Sequence, residues 1–328
     1  TDYKIVANGK VGQLKYIGTP IVDYSNFDHA AQMVKVEGKT FDYDNSSGKS
    51  SFEDGTNTIN SFYISKREIT QKVYKSVMSG ITITDFNDTE QTLCENPSLC
   101  VQESAVYALP IDPRVQDSRP VDNVTWYDAI YFCNKLSELK GRDPVYTIEN
   151  IEVGTDDDTE DPYLHIKSAT VDIDDTKNGY RLPTRSEWEF AFRGGDPDVE
   201  AWNYCYSGKD SESYTSIIDK DSVLDEIAWY CFNNDYGTTG DADVTNSAEG
   251  RGSHPVAQKK PNTLGLFDMS GNVYEWVKDE YMNGSDTNRI LMGGSWRFEA
   301  YTCSWKNFSH AQEKNSFAHY GFRIVCNE

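Results

Sequence analysis

NGYRLPTRSEWEFAFRGG, residues 178–195, carries a short helix together with the signals for both of its ends. Thr184 is placed to cap the first turn, and Glu187 stands three residues later in the position of a capping box. Trp188 and Phe192 are four residues apart, so they share the buried face of the helix. The two glycines at 194 and 195 end it, because glycine reaches the left-handed conformation that closes many helices.

Two further helices upstream follow the same rule. Thr70 precedes QKVYKSVMSG, which ends at Gly80, and Thr125 opens TWYDAIYFCNKLSELKG, which ends at Gly141. Alternating stretches such as MVKVEGKTFDYD, from Met33, and INSFYISKREIT predict strands. Beyond residue 195, short aromatic runs are broken every few residues by Gly, Asn and Asp. The pattern predicts an α+β fold with few helices, short strands and much irregular chain.

The charge of the chain restricts its partners. It has 328 residues, enough for a sizeable core, and a formal net charge of −22. Such a field repels phosphate, so we expect no nucleic-acid partner and no direct binding to anionic lipid.

No apolar run approaches the ~20 residues that cross a bilayer. The chain opens at Thr1 without a methionine, which fits a trimmed or processed form that has lost an export signal.

The seven cysteines do not form a recognisable framework. Cys94 and Cys100 could close a small loop in an oxidising compartment, and free thiols fit the spacing equally well. There is no CxxC, and the five histidines are scattered, so zinc-ligand spacing is absent from the sequence. The acidic stretch GTDDDTEDP, residues 154–162, is interpreted as a solvated loop, because its carboxylates lack the ordered spacing of a calcium loop.

Residues 296–320, called here the C-terminal segment, have the composition of a binding surface. Seven aromatic residues are mixed with Ser, Asn, Thr, Lys and His, and neither alternating set of positions reads as a core face. Rigid aromatic side chains with adaptable polar neighbours are typical of antibody paratopes and interface hot spots. Trp296 we assign to the scaffold. The candidate ligand-binding residues, which we expect to be exposed, are Arg297, Phe298, Tyr301, Thr302, Trp305, Asn307, Phe308, Ser309, His310, Ser316, Phe317, His319 and Tyr320. Partial burial of these rings is the alternative.

Several motifs together resemble the formylglycine-generating-enzyme, or sulfatase-modifying-factor, family. They are the helix stretch quoted above, GLFDMSGNVYEWVKDEY at residues 265–281, ILMGGSW at residues 290–296 and GFRIV at residues 321–325. The resemblance implies a variant of the C-type lectin fold with short antiparallel sheets. It places one such domain at residues 33–328, and residues 1–32, with turn signals at Asn8-Gly9 and Thr19-Pro20, read as an N-terminal extension.

The resemblance also implies a structural calcium ion. Asp268, the backbone of Gly271 and Val273, and Glu275 match calcium-binding positions of the family's enzymes. Carboxylates and carbonyl oxygens suit this hard cation. The alternative is that both carboxylates are hydrogen-bonded turn residues. We expect no other cofactor.

The catalytic centre of the family is incomplete in this sequence. Its enzymes oxidise a client cysteine by means of two cysteines that hold Cu(I) as thiolates, just after the GGS motif. Here Cys303 matches the second of these and Phe298 stands at the first. Cys326 lies too far along the chain to replace it. We therefore expect no enzyme activity and interpret Cys303 as a small buried residue.

One branch of the family resembles the chain further: the variable proteins of bacterial diversity-generating retroelements. In these proteins a hypervariable stretch begins near GGSW and ends at GFR, as the C-terminal segment does here. The resemblance implies a diversifiable ligand-binding lipoprotein, exported to the cell surface or outer membrane and held by a lipid anchor outside this chain. We expect a protein or other macromolecular ligand rather than a sugar, because the lectin motifs EPN and QPD are absent. The alternatives are a copper-dependent formylglycine-generating oxidase and a family member with one fixed partner.

Overall fold

The computed structural model describes residues 27–99, 113–155, 163–211, 221–233, 252–284 and 286–328, and the backbone of a hairpin at residues 3–7 and 10–14. Its α-helices are α1 His29–Gln32, α2 Gln71–Met78, α3 Pro113–Asp117, α4 Trp126–Leu139 and α5 Arg185–Phe192. Short 3-10 turns lie at Glu200–Asn203, Leu224–Glu226, Cys231–Asn233 and Ala300–Cys303. In the described ranges, no helix combines the length and the apolar character needed to cross a membrane.

The strands are short, as predicted. They are β1 Tyr3–Ala7, β2 Lys10–Leu14, β3 Met33–Val36, β4 Lys39–Tyr43, β5 Gly55–Ile59, β6 Phe62–Ser65, β7 Thr82–Thr84, β8 Glu90–Thr92, β9 Tyr146–Gly154, β10 His165–Ile173, β11 Tyr180–Arg181, β12 Tyr274–Asn283, β13 Asp286–Met292, β14 Ser309–Ala311, β15 Tyr320–Gly321 and β16 Val325–Asn327. The α+β prediction with few helices is confirmed.

Two four-stranded sheets organise the described fold, with orders β11-β16-β6-β3 and β14-β13-β12-β15. The remaining strands form the two-stranded pairs β1-β2, β4-β5, β7-β8 and β9-β10. All the pairings are antiparallel except that of β12 with β15, which is parallel. Both ends of the C-terminal segment return to the second sheet, so this sheet is its support.

The three helices predicted from their caps begin where expected. The Thr70, Thr125 and Thr184 side chains accept hydrogen bonds from backbone N–H groups of the first turns of α2, α4 and α5. Complete capping boxes are present at Thr125 and Thr184, whose own backbone N–H groups donate to the Asp128 and Glu187 carboxylates. Local sequence therefore determines the start of each helix.

A buried guanidinium joins the two sheets. Arg323, between β15 and β16, donates to both carboxylate oxygens of Glu275 on β12 at 2.6 and 2.7 Å. It also donates to the carbonyl oxygens of Ser65, at the end of β6, and Phe267 at 3.1 and 2.9 Å. The Trp188 indole of α5 donates to the same Glu275 carboxylate at 2.7 Å. One ion pair thus ties both sheets, a loop and a helix together.

A second carboxylate extends this network. Glu68 accepts from the Asn272 side chain at 2.7 Å and from the Val273 backbone N–H at 3.1 Å. Burial, and then the negative charges of Asp268 and Glu275, raise the pKa of Glu68 well above its usual value. Burial therefore favours the neutral acid of Glu68 relative to an exposed glutamate, whereas Arg323 is the counter-ion of Glu275.

Two packing features go beyond what the sequence patterns indicate. Asn272, Tyr274 and Trp276 alternate with Val273 and Glu275, as in a strand buried on one face, yet all five are buried, so the start of β12 and the two residues before it present no exposed face. Phe27, which falls within the stretch assigned to the extension, is buried and packs edge-on against Tyr180 at 5.4 Å. Cys100 and residues 156–162 lie outside the described residues.

We expect Arg323→Met to destabilise the protein by about 3–5 kcal/mol, because it leaves the buried Glu275 carboxylate without its counter-ion. The matched variant Glu68→Gln should cost less, about 1–2 kcal/mol, because burial already favours a neutral group there and the amide leaves only one of the two donors to Glu68 without an acceptor. Urea unfolding followed by tryptophan fluorescence measures both. Equal losses in the two variants would contradict the distinct roles given to them.

Candidate binding surface of the C-terminal segment

A glycine turn leads into the C-terminal segment. Gly294 has φ +72°, and a Cβ atom there would lie 2.8 Å from the backbone of Cys303, so only glycine fits without a shift. Trp296 then anchors the segment: its backbone N–H donates to the Asn272 carbonyl at 2.7 Å and its indole N–H to the Ala318 carbonyl at 3.1 Å. The segment is therefore closed at its base, and Trp296 is scaffold.

Five of the thirteen residues expected to be exposed are buried. They are Thr302, Trp305, Ser316, His319 and Tyr320. Trp305 shows the physical reason. Its ring lies 4.1 Å from the Arg193 guanidinium, and its indole N–H donates to the Tyr204 carbonyl at 3.0 Å, so the polar atom of the ring is satisfied inside the protein. For these five residues the prediction of exposure is wrong.

Seven of the other eight are half-buried, and Phe317 is 37% exposed. The half-buried residues are Arg297, Phe298, Tyr301, Asn307, Phe308, Ser309 and His310. This set of eight presents polar and aromatic atoms to solvent from a backbone held by buried neighbours. The described part of the segment thus divides into an anchoring set and an accessible set.

One group of accessible rings surrounds His319. The Phe298 ring meets the imidazole edge-on with centroids 5.3 Å apart, and the exposed Phe317 ring stacks on it at 5.5 Å. Tyr274 packs against Phe298 from below at 5.8 Å. Burial, and then the charge of Arg297, lower the pKa of His319 to about 3, so its imidazole is neutral near pH 7.

A second accessible group lies at the edge strand β14. His310 stacks on Tyr281 of β12 at 4.3 Å, and Phe308 meets the same tyrosine at 5.5 Å. The Arg185 guanidinium lies over the Phe308 ring at 4.5 Å. Sequence reasoning missed Tyr281 and Arg185. The alternation in NVYEWVKDEY continues to Tyr281 and offered a signal for it, whereas no signal marked Arg185.

A buried polar network fixes the middle of the segment. Glu313 accepts from the Tyr127 hydroxyl of α4 at 2.5 Å and from Arg289 of β13 at 2.7 Å. The backbone N–H of Trp126 donates to the Glu313 carbonyl at 3.0 Å. This carboxylate is therefore committed to holding the segment against the scaffold.

The cysteine at the second copper position is buried, as predicted. Cys303 is fully enclosed beside Ala300, Tyr206 and Tyr230, and burial raises the pKa of its thiol well above the usual range. The backbone N–H of Cys231 donates to the carbonyl of Phe298 at 3.1 Å, so a second cysteine approaches this turn from a distant part of the chain. Burial raises the pKa of Cys231 to about 12. Neither thiol is favoured as the thiolate that Cu(I) requires.

The residues matched to calcium ligands do not fit that ion. Both Glu275 oxygens are taken by Arg323, and a cation placed there would face a guanidinium. In the described part of the chain, no cluster of three or more His, Cys, Asp or Glu side chains could hold a metal.

Asp268 is the second carboxylate of that set, and one of its oxygens is not engaged within the described residues. Its Oδ2 accepts from the Ala257 N–H at 2.7 Å, and its buried Oδ1 has no hydrogen-bond partner among the described residues. Burial raises the pKa of Asp268 to about 6. Calcium stays a prediction from the resemblance, and this arrangement does not favour it.

The chain matches one protein family over most of its length. The model of the sulfatase-modifying factor enzyme 1-like domain matches residues 22–328. The chaperone protein LppX of Paenibacillus barcinonensis is 36% identical over 269 residues, which are 80% of this chain and 78% of that protein.

Two further relatives match over shorter stretches, one named as an inactive enzyme and the other as an active one. The inactive C-alpha-formylglycine-generating enzyme 2 of Bos taurus is 31% identical over 119 residues, 36% of this chain and 33% of that protein. The formylglycine-generating enzyme of Bos taurus is 28% identical over 184 residues, 50% of this chain and 44% of that protein. The chain thus matches less than half the length of either.

Solved structures support the same assignment. The Treponema denticola variable protein 1 superposes with a TM-score of 0.61 at 25% identity, covering 100% of this chain and 99% of that one. CarF superposes with a TM-score of 0.60 at 24% identity over 90% of this chain and 98% of its own, a likeness of fold. The fold is the C-type-lectin-like α+β fold predicted from the motifs. The chain belongs to the family of proteins with a sulfatase-modifying factor enzyme 1-like domain.

Proposed function

We propose that this protein is a non-catalytic binding protein whose C-terminal segment forms the ligand-binding surface. The observation that supports this best is the division of the segment into buried anchors, such as Trp296 and Trp305, and accessible rings, such as Phe298, Phe308 and Phe317. Aromatic side chains on a fixed backbone lose little entropy on binding, which favours affinity. The likeness to a variable protein over the whole chain agrees with this role.

The absence of catalysis is part of the proposal. Phe298 occupies the first copper position, and the Cys303 thiol is buried in its protonated form. Cys231 and Cys303 both lie at the turn that contains Phe298, but burial disfavours the thiolate form of each, which is the soft ligand that Cu(I) requires.

We further propose that the segment is diversified, that the protein is exported and displayed at the cell surface or outer membrane, and that a lipid anchor outside this chain is its only link to a membrane. The ligand is a protein or another macromolecule. A body with a net charge of −22 and accessible rings on one segment supports a protein ligand over nucleic acid.

A second candidate function is attachment to one fixed protein client. It is favoured by the 36% identity to a protein named as a chaperone over 80% of this chain. A fixed client would use the same accessible rings without variation among gene copies. The two candidates therefore differ in sequence diversity rather than in the location of the site.

Near-copies of this gene from one genome or closely related strains should differ at accessible positions such as Phe298, Tyr301, Phe308 and His310. They should keep Trp305, because its side chain is enclosed. Sequencing such copies, with a search for an adjacent reverse-transcriptase gene and a near-copy of the segment's coding DNA, checks the diversification. Identical segments in all copies would favour the fixed client instead.

Trp305→Ala should destabilise the protein by about 3–5 kcal/mol, since it empties a buried indole site. Tyr301→Ala, at a half-buried position, should cost about 1 kcal/mol and leave the melting temperature nearly unchanged. Chemical unfolding followed by circular dichroism compares them. Loss of folding in the Tyr301 variant would mean that the accessible set belongs to the core.

Incubation with Cu(I), oxygen and a cysteine-containing client peptide should leave the mass of the peptide unchanged, because the thiolate pair is missing. Mass spectrometry of the peptide gives the readout, and an active formylglycine-generating enzyme of the family serves as the positive control. Conversion at a rate comparable to that enzyme would restore the oxidase alternative.

A further inference from the structure

Arg297 differs from four of the buried arginines in the described part of this fold. Arg181, Arg193, Arg289 and Arg323 each pair with a carboxylate at 2.6–3.0 Å. Arg297 is half-buried, and in the described part of the chain its guanidinium has a single recorded contact, the Phe298 ring at 5.9 Å. A cation without an acidic partner is unexpected in a chain with a net charge of −22.

His319 adds an independent observation at the same place. Its side chain is 5% exposed, and its Nδ1 atom has no hydrogen-bond partner among the described residues. A buried polar atom without a partner costs about 1–3 kcal/mol, so such atoms often mark sites that a ligand completes. Burial lowers the pKa of His319 and the charge of Arg297 adds to this effect, whereas burial raises the pKa of Tyr320 to about 12 and the same charge opposes it, so Arg297 lies close enough to act on both groups.

Two rings supply apolar walls beside these groups. Phe298 and Phe317 contact the His319 imidazole from different directions, at 5.3 and 5.5 Å, and Phe317 is the most exposed aromatic ring of the segment. Apolar walls strengthen the interaction of an unpaired guanidinium with an anion, because the local dielectric constant beside them is below that of water.

We propose that Arg297, Phe298, His319 and Phe317 form the specificity-determining centre of the segment, and that this centre takes a carboxylate carried next to an aromatic group, as when an acidic and an aromatic side chain adjoin on a protein partner. The proposal rests on the proposed function and names the chemistry of its ligand. A guanidinium binds a carboxylate through two parallel hydrogen bonds, and the rings hold the adjoining aromatic group. A single carboxylate also meets less repulsion from the acidic body than a phosphate dianion would.

Three small probes of one shape test this chemistry: 3-phenylpropionate, 3-phenylpropanamide and 3-phenylpropylamine. Saturation-transfer NMR with the whole chain should give a Kd in the millimolar range for the carboxylate, as expected for a ligand of this size. The amide should bind about tenfold more weakly or worse, and the amine should not bind. Arg297→Gln should weaken the carboxylate about tenfold, Arg297→Lys should retain part of the binding, and the matched change Lys306→Gln should have no effect.

Circular dichroism of each variant shows whether it folds, and the graded result for lysine and glutamine separates charge recognition from structural damage. Equal binding of the three probes, unchanged binding in Arg297→Gln, or no binding of any probe would overturn the proposal. Equal binding accompanied by chemical-shift changes at Phe298 and Phe317 would overturn the proposed carboxylate centre and still show that these rings contact a ligand. The role of the segment as a binding surface would then stand, and its own test is the variation among gene copies.

Discussion

The buried pair of Arg323 and Glu275 is the interaction on which the rest of the structure depends. A guanidinium with no exposed surface is tolerable only when its hydrogen bonds are filled, and here they reach a carboxylate, two backbone carbonyls and, through that carboxylate, an indole. These partners come from β6, a loop, β12 and α5. The arrangement fixes how the two sheets lie against each other, and with it the platform on which the C-terminal segment rests.

The accessible surface follows from that platform. Trp296, Trp305 and Glu313 each attach the segment to a different part of the scaffold, through Asn272, Tyr204 and the pair of Tyr127 and Arg289. Because the backbone between these anchors is held, the rings of the accessible set keep their places without packing fully. A rigid base and exposed aromatic side chains are the combination that a versatile binding surface needs.

Sequence reasoning succeeded where the determining contacts are local. The caps at Thr70, Thr125 and Thr184 act within three residues, so the helix starts could be read directly. It failed for Trp305 and His319, because the partner of the Trp305 indole is 101 residues away and composition does not tell an exposed indole from an enclosed one. The calcium match rests on the identities of Asp268 and Glu275, and it could not anticipate that Arg323, 48 residues beyond Glu275, would take both of its oxygens.

The closure of the segment at its base has a consequence for engineering. The Trp296 N–H bonds to the Asn272 carbonyl, and the His319 carbonyl accepts from the N–H of Tyr274, two residues further along the same chain. The stretch thus leaves and rejoins the scaffold at nearly one point. The sheet already holds its two ends together, so little further chain entropy is lost on closing the loop. A graft of residues 296–319 onto a related scaffold therefore needs one compatible strand for its two ends and partners for Trp305 and Glu313 within it. Changes in length belong between these anchors, where they do not move the ends.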